Sequence, residues 1–122
     1  MIQVNRLFEG QLFHVLFPAI VEAHVLREYD DLMVEQLDTA LGKIHFIADL
    51  SNLKSLPNLS VLVGLRHPYH HNIGYGLTIG LTNNLVGRFL VSKGAEIMGV
   101  HHRDFSTFNE AQDYLHQMEG IR

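Results

Sequence analysis

The chain has 122 residues, 47% of them hydrophobic and 18% charged, and it contains no cysteine. That length suits one domain with a buried core, and the lack of cysteine excludes disulfide frameworks, thiolate metal sites and cysteine nucleophiles. A formal net charge of −4, with only 9 scattered basic residues, leaves no concentrated basic face of the kind nucleic acids require. The N-terminus carries polar Gln3, Asn5, Arg6 and Glu9 and does not read as a signal peptide. No apolar run approaches the about 20 residues of a membrane span, so residues 1–122 are expected to form a single soluble cytoplasmic domain. The nine histidines would carry the formal charge from −4 to +5 if all were protonated, which makes solubility sensitive to pH near about 6.

Ile2 to Leu7 and Leu12 to Phe17 read as two antiparallel strands joined by a tight turn at Glu9-Gly10, where glycine supplies positive φ. Pro18 ends the second. From Ala19 to Leu41, apolar Val25, Leu26, Tyr29, Leu32, Met33, Val34, Leu37, Ala40 and Leu41 recur at helical spacing, and Gly42 stands at a helix C′ position. The run Lys43 to Leu50 that follows is a buried strand closed by a polar cluster. Such a strand needs cover on both faces, so the amphipathic segments around it become its wrapping helices. Ser55 and Pro57 introduce a helix with Leu59, Leu62, Val63 and Arg66 on one face, ending near His67-Pro68. Ile73 to Leu81 is a second apolar strand, with Gly74, Gly76 and Gly80 calling for a helix or a second subunit packed closely on it. Thr82, Asn83 and Asn84 offer caps to a helix whose inward face is read as Leu85, Phe89, Leu90, Ala95 and Ile97 or Met98. Gly99 to Phe105 reads as an edge strand. Thr107 to Glu110 matches a capping box opening a last helix with Phe108, Ala111, Leu115 and Met118 inward. The order is β-β-α-β-α-β-α-β-α: a single α/β domain with a central mixed sheet of about five strands, an antiparallel first pair and helices packed on it.

Three patterns in this order, Asp49-Leu50-Ser51, Leu53-Lys54-Ser55-Leu56-Pro57 and Phe105 to Ala111 with Leu115, resemble the SpoIIAA-like branch of the STAS superfamily over Leu12 to the C-terminus. The resemblance implies a mixed sheet with packed helices and a non-enzymatic regulator that binds partner proteins; a related lineage of similar fold holds lipids in an apolar pocket. Anti-sigma factor antagonists of the family carry a phosphorylatable serine at the start of the helix after this strand. Pro57, Asn58 and Leu59 occupy those positions here, so the phosphoserine switch does not carry over.

Four constellations bear on chemistry. Asp49, Ser51, Asn52, Ser55 and Asn58 follow one strand, and Thr82, Asn83 and Asn84 follow another that should run parallel to it, so both groups are expected at one sheet edge, where helix N-termini favour anions. Helix capping and loop closure explain the same side chains. His67, His70 and His71 are imidazoles on one loop, with His101 and His102 further on, but no carboxylate or thiolate completes a metal set. His102 and Asp104 share a strand face and read as an ordinary surface pair, because no motif positions a nucleophile beside them. The spacing of Gly74, Gly76 and Gly80 falls inside a strand and is not a nucleotide loop. The sequence thus points to a non-catalytic binding module without cofactors that forms a homodimer or docks on a protein partner. The alternative is a carrier holding a small apolar or anionic ligand between sheet and helix, using Asn83, Arg88 and the loop from Asp49 to Asn58.

Overall fold

A computed structural model of the chain describes residues 2–39, 42–55, 75–98 and 102–118. The predicted helix after Pro57, the loop histidines His67, His70 and His71, His101, Asn58, Gly74, Ala40 and Leu41 lie outside the described residues, as do the side chains of Ile97, Met98 and Met118.

Five strands form one sheet in the order in which they occur: β1 (Gln3–Leu7), β2 (Leu12–Leu16), β3 (Ile44–Asp49), β4 (Tyr75–Leu81) and β5 (His102–Phe105). β1 is antiparallel to β2, and β2, β3, β4 and β5 run parallel. Three described helices, α1 (Ala23–Asp38), α2 (Leu85–Met98) and α3 (Phe108–Met118), lie against it. The domain is therefore α/β with a five-stranded mixed sheet and an antiparallel first pair, as the order of sequence patterns predicts.

β3 lies in the middle, and all six of its residues are buried. Successive strand side chains alternate between faces. Ile44, Phe46 and Ala48 join Phe13, Val15 and Phe17 under Val25, Leu26, Tyr29, Met33 and Leu37 of α1, with Leu90 and Val91 of α2 in the same cluster. Aromatic rings fill this layer: Phe13 stacks on Phe46 at 5.8 Å, and Tyr29 meets Phe17 at 5.1 Å edge-on. Ile47 points the other way, with Leu12, Ile79 and Leu81 beneath Ala111 and Leu115 of α3. One face of the sheet is thus covered by α1 and α2, the other by α3.

Several boundaries differ from expectation, each for a local reason. α1 starts at Ala23, four residues later than the periodicity suggests, because Ala19 and Ile20 are tied to the loop after β3: the Ala19 carbonyl accepts from Lys54 N–H at 2.8 Å and Ile20 bridges Ser55. The β1–β2 turn is a short 3-10 segment in which Phe8 (φ 51°), Glu9 (φ 56°) and Gly10 (φ 87°) are all left-handed. The sequence assigns that backbone only to the glycine; the two other residues hold it at about 1–3 kcal/mol each. Leu90 and Ala95 are buried as expected, but Leu85 and Phe89, also expected inward, are 80% and 47% exposed, and Val91 is buried in their place. α2 is therefore turned so that its first apolar residues face water. Thr107 caps α3 as expected, with Glu110 N–H donating to its hydroxyl at 3.2 Å, but that hydroxyl donates onward to the Glu110 carboxylate at 3.1 Å.

The glycines of β4 are explained within the chain, with no second subunit. β4 is an interior strand, and a Cβ on Gly80 would stand 2.6 Å from both methyls of Val91 and 2.7 Å from Asp104 Oδ1. The His45 ring similarly occupies the space beside Gly76. Gly80→Ala must push α2 off the sheet, and it is expected to destabilise the protein by about 1–3 kcal/mol, read as a lower urea midpoint at unchanged slope.

Candidate functional site

Within the apolar run Leu12 to Phe17, His14 is the one polar side chain. Strand alternation puts it on the α3 face with Leu12. β2 pairs with β3 in a register that sets Leu16 opposite Asp49, so His14, two residues back on the same face, reaches the Asp49 side chain diagonally. His14 Nε2 and Asp49 Oδ2 are 2.7 Å apart. Asp49 Oδ1 accepts the backbone N–H of Ser51 at 3.0 Å and its hydroxyl at 2.6 Å. This is a side-chain turn of the kind aspartate forms with residues two ahead, and it fixes the chain where β3 ends. The Phe108 ring, from the first turn of α3, covers the imidazole with centroids 5.0 Å apart. Asp49 is 5% exposed, and the His14 side chain is 17% exposed.

Burial raises the Asp49 carboxyl pKa. The hydrogen bonds from His14 and from the Ser51 hydroxyl and N–H, together with the His14 charge, outweigh it and hold the group below its ordinary value of 3.8. An ionised carboxylate only accepts, so the proton of the shared bond resides on Nε2. Nδ1 makes no hydrogen bond among the described residues. The arrangement is an imidazole oriented by a carboxylate, with its second nitrogen near the surface. Ser51 directs its proton to Asp49 and not to His14, so the three residues do not form a nucleophile–base relay.

The loops after β3 and β4 do meet at one edge of the sheet, where Leu50 N–H donates to the Leu81 carbonyl at 2.8 Å and Thr82 N–H to the Phe105 carbonyl at 3.0 Å. The sheet then divides the predicted rim. Asp49 and Ser51 belong to the α3 face with His14 and Phe108, while Asn84 opens α2 on the opposite face, accepting Gly87 N–H at 2.8 Å on its side-chain oxygen. Asn83 accepts from the Asn84 amide at 3.1 Å. Thr82 is buried; Asn52, Ser55, Asn83, Asn84 and Arg88 are exposed. Capping thus occupies Asn84, and the aspartate–histidine–serine network occupies Asp49 and Ser51. His102 and Asp104 share the α2 face of β5, and no hydrogen bond or ion pair joins them among the described residues. No group of three or more histidine and acidic side chains is placed to hold a metal among the described residues, and no described helix is long and apolar enough to cross a membrane.

His14 is the member of this network that the sequence reading passes over. Its signal was a polar residue inside an otherwise apolar strand, and only the β2–β3 register turns that signal into a partner for Asp49. No protein-family model matches the chain, and no curated protein does so either.

Substituting His14 with Ala leaves a nearly buried carboxylate oxygen without its partner, at a cost of about 1–3 kcal/mol near neutral pH, measurable by urea unfolding. Because the fold depresses the Asp49 pKa, its contribution is complete above 3.8 and is lost as pH falls through the lower folded value. Wild type and Asp49→Asn should therefore differ in stability at neutral pH and converge on acidification. A gap that does not change with pH would contradict this.

Proposed function

We propose that the chain is a non-catalytic binding module of STAS, SpoIIAA-like type that works through protein–protein contacts made by the first turns of α2. The carrying observation is the outward set Leu85, Val86 and Phe89, which are 80%, 41% and 47% exposed. Phe89 stands one helical turn beyond Leu85 and Val86, the spacing at which the anchors of a helix laid into a groove recur. Apolar residues clustered in this way on a soluble surface mark contact sites more often than isolated ones do. From Thr82 to Val91 the only charged residue is Arg88, in a chain of net charge −4; Lys93, further along, pairs with Glu96 at 3.6 Å. The surface that fits is therefore an apolar groove edged by acidic side chains, on another protein or on a second copy.

The order of strands and the cover on both faces of β3 support the STAS reading, and the absence of a serine in the Pro57 to Leu59 positions argues for a module without that phosphorylation switch. The non-catalytic reading is supported by Asp49, whose two oxygens are both engaged by neighbours. Edge-strand pairing is a poorer route to association than α2. β5 has four residues and carries Arg103 and Asp104 exposed at its centre, which opposes addition of a further strand.

The test is sedimentation velocity over a concentration series, run beside affinity capture from the native lysate. Wild type should self-associate, or should retain a protein that Leu85→Ser/Phe89→Ser loses, with the amide spectrum of the variant otherwise intact. A monomer at every concentration, capturing the same proteins as the variant, would remove the reading.

A further inference from the structure

At the opposite end of β3, the last turn of α1, the β1–β2 hairpin and the start of β3 enclose a cleft of about 410 Å³. We propose that this cleft is a binding site for a small organic carboxylate with an apolar body. It shares no residue with the first turns of α2, so it stands or falls separately from the function proposed above.

The size is that of a small-molecule pocket. Its walls are more polar than apolar, over a small apolar floor. Phe13 and Ile44, 3% and 6% exposed, supply the floor. Arg6 pairs across the hairpin with Phe13 and shares its face, which carries the guanidinium to the mouth. Lys43 lines it just before β3, and Gln11 and Gln36 line the sides. Among the described residues neither Arg6 nor Lys43 takes part in an ion pair.

The Arg6 side chain lies against the turn. A Cβ at Gly10 would come 2.6 Å from Arg6 Nη2 and 2.8 Å from Nε, so the glycine makes room for the guanidinium to lie across the turn. Phe8 and Glu9, beside it, hold left-handed backbone. Strain of that kind persists only where its surroundings enforce it, and it gathers at ligand sites.

The charge balance selects the ligand. Arg6 and Lys43 attract an anion, while Glu9 and the carbonyl end of α1, whose last turn has no basic residue, limit how much negative charge the cleft accepts. A polyanion such as phosphate meets that limit. A single carboxylate matches the planar fork of arginine, with its carbon skeleton against Phe13 and Ile44. Lysine offsetting the helix pole is the ordinary reading of Lys43, but it does not account for Arg6, which takes part in no ion pair among the described residues.

The test is an amide-resonance titration of the full chain with benzoate, with uncharged benzamide and inorganic phosphate as comparisons. Benzoate should give saturable shifts at Arg6, Gly10, Gln11 and Gln36 in the millimolar range or tighter, about tenfold tighter than benzamide. Arg6→Gln should weaken benzoate about tenfold and leave benzamide unchanged. Arg6 is exposed, so the variant retains the fold, and Lys43→Gln serves as an independent second variant with a smaller loss. Shifts that fail to saturate, that saturate at α2, or that are unaltered in Arg6→Gln would overturn the site. Phosphate binding as well as benzoate does would overturn the ligand class.

Discussion

The interior position of β3 governs the rest of the structure. Phe46 and Ile47 are neighbours in sequence, both 0% exposed, and they point to opposite faces of the sheet. Water can be excluded from both only if helices lie on each side, and the parallel pairing of β3 with β2 and β4 requires crossovers that can supply such cover. The polar end of the strand then surfaces where the crossovers begin. Asp49 is the point at which the buried ladder meets that edge, and its carboxylate is tied down by His14 and Ser51 before the chain turns away.

Much of this architecture could be read from residue patterns. The apolar run from Ile44 to Leu50, the helical spacing of Val25, Leu26, Tyr29, Met33 and Leu37, and the Thr107 to Glu110 cap each describe a local preference that tertiary packing then agrees with. Features that depend on how elements face one another were not legible in the same way. The partnership of His14 with Asp49 is a matter of strand register, and period-2 alternation in either strand alone cannot supply it. The roll of α2 about its axis is another case. Leu85, Phe89, Leu90 and Val91 are all apolar, and helical spacing permits more than one inward stripe; Gly80 decides it, by admitting Val91 to the sheet surface. The left-handed backbone at Phe8 and Glu9 carried no sequence signal, since neither residue type favours it.

The candidate site follows the same division. Asp49, Ser51, Asn83 and Asn84 could be selected as residues at strand ends, because helix caps and side-chain turns have local signatures. Their grouping into one rim could not, because the sheet that carries them also separates them. The two ends of β3 thus differ in character. One is closed by hydrogen bonds among its own side chains, with apolar residues of α2 outermost. The other is open, with cationic groups that have no partner in the described fold.

The alternation of strands and crossovers also bears on how the chain reaches this state. Among the described strands, β1 and β2 alone pair as close neighbours in sequence; each step of the parallel ladder joins segments separated by a crossover, as from Asp49 to Tyr75. Loop closure must precede those pairings, so they form later than the hairpin. Until β4 docks, the apolar flank of β3 is open to pairing with another chain. Expression at low temperature or with a holdase chaperone addresses that kinetic exposure directly.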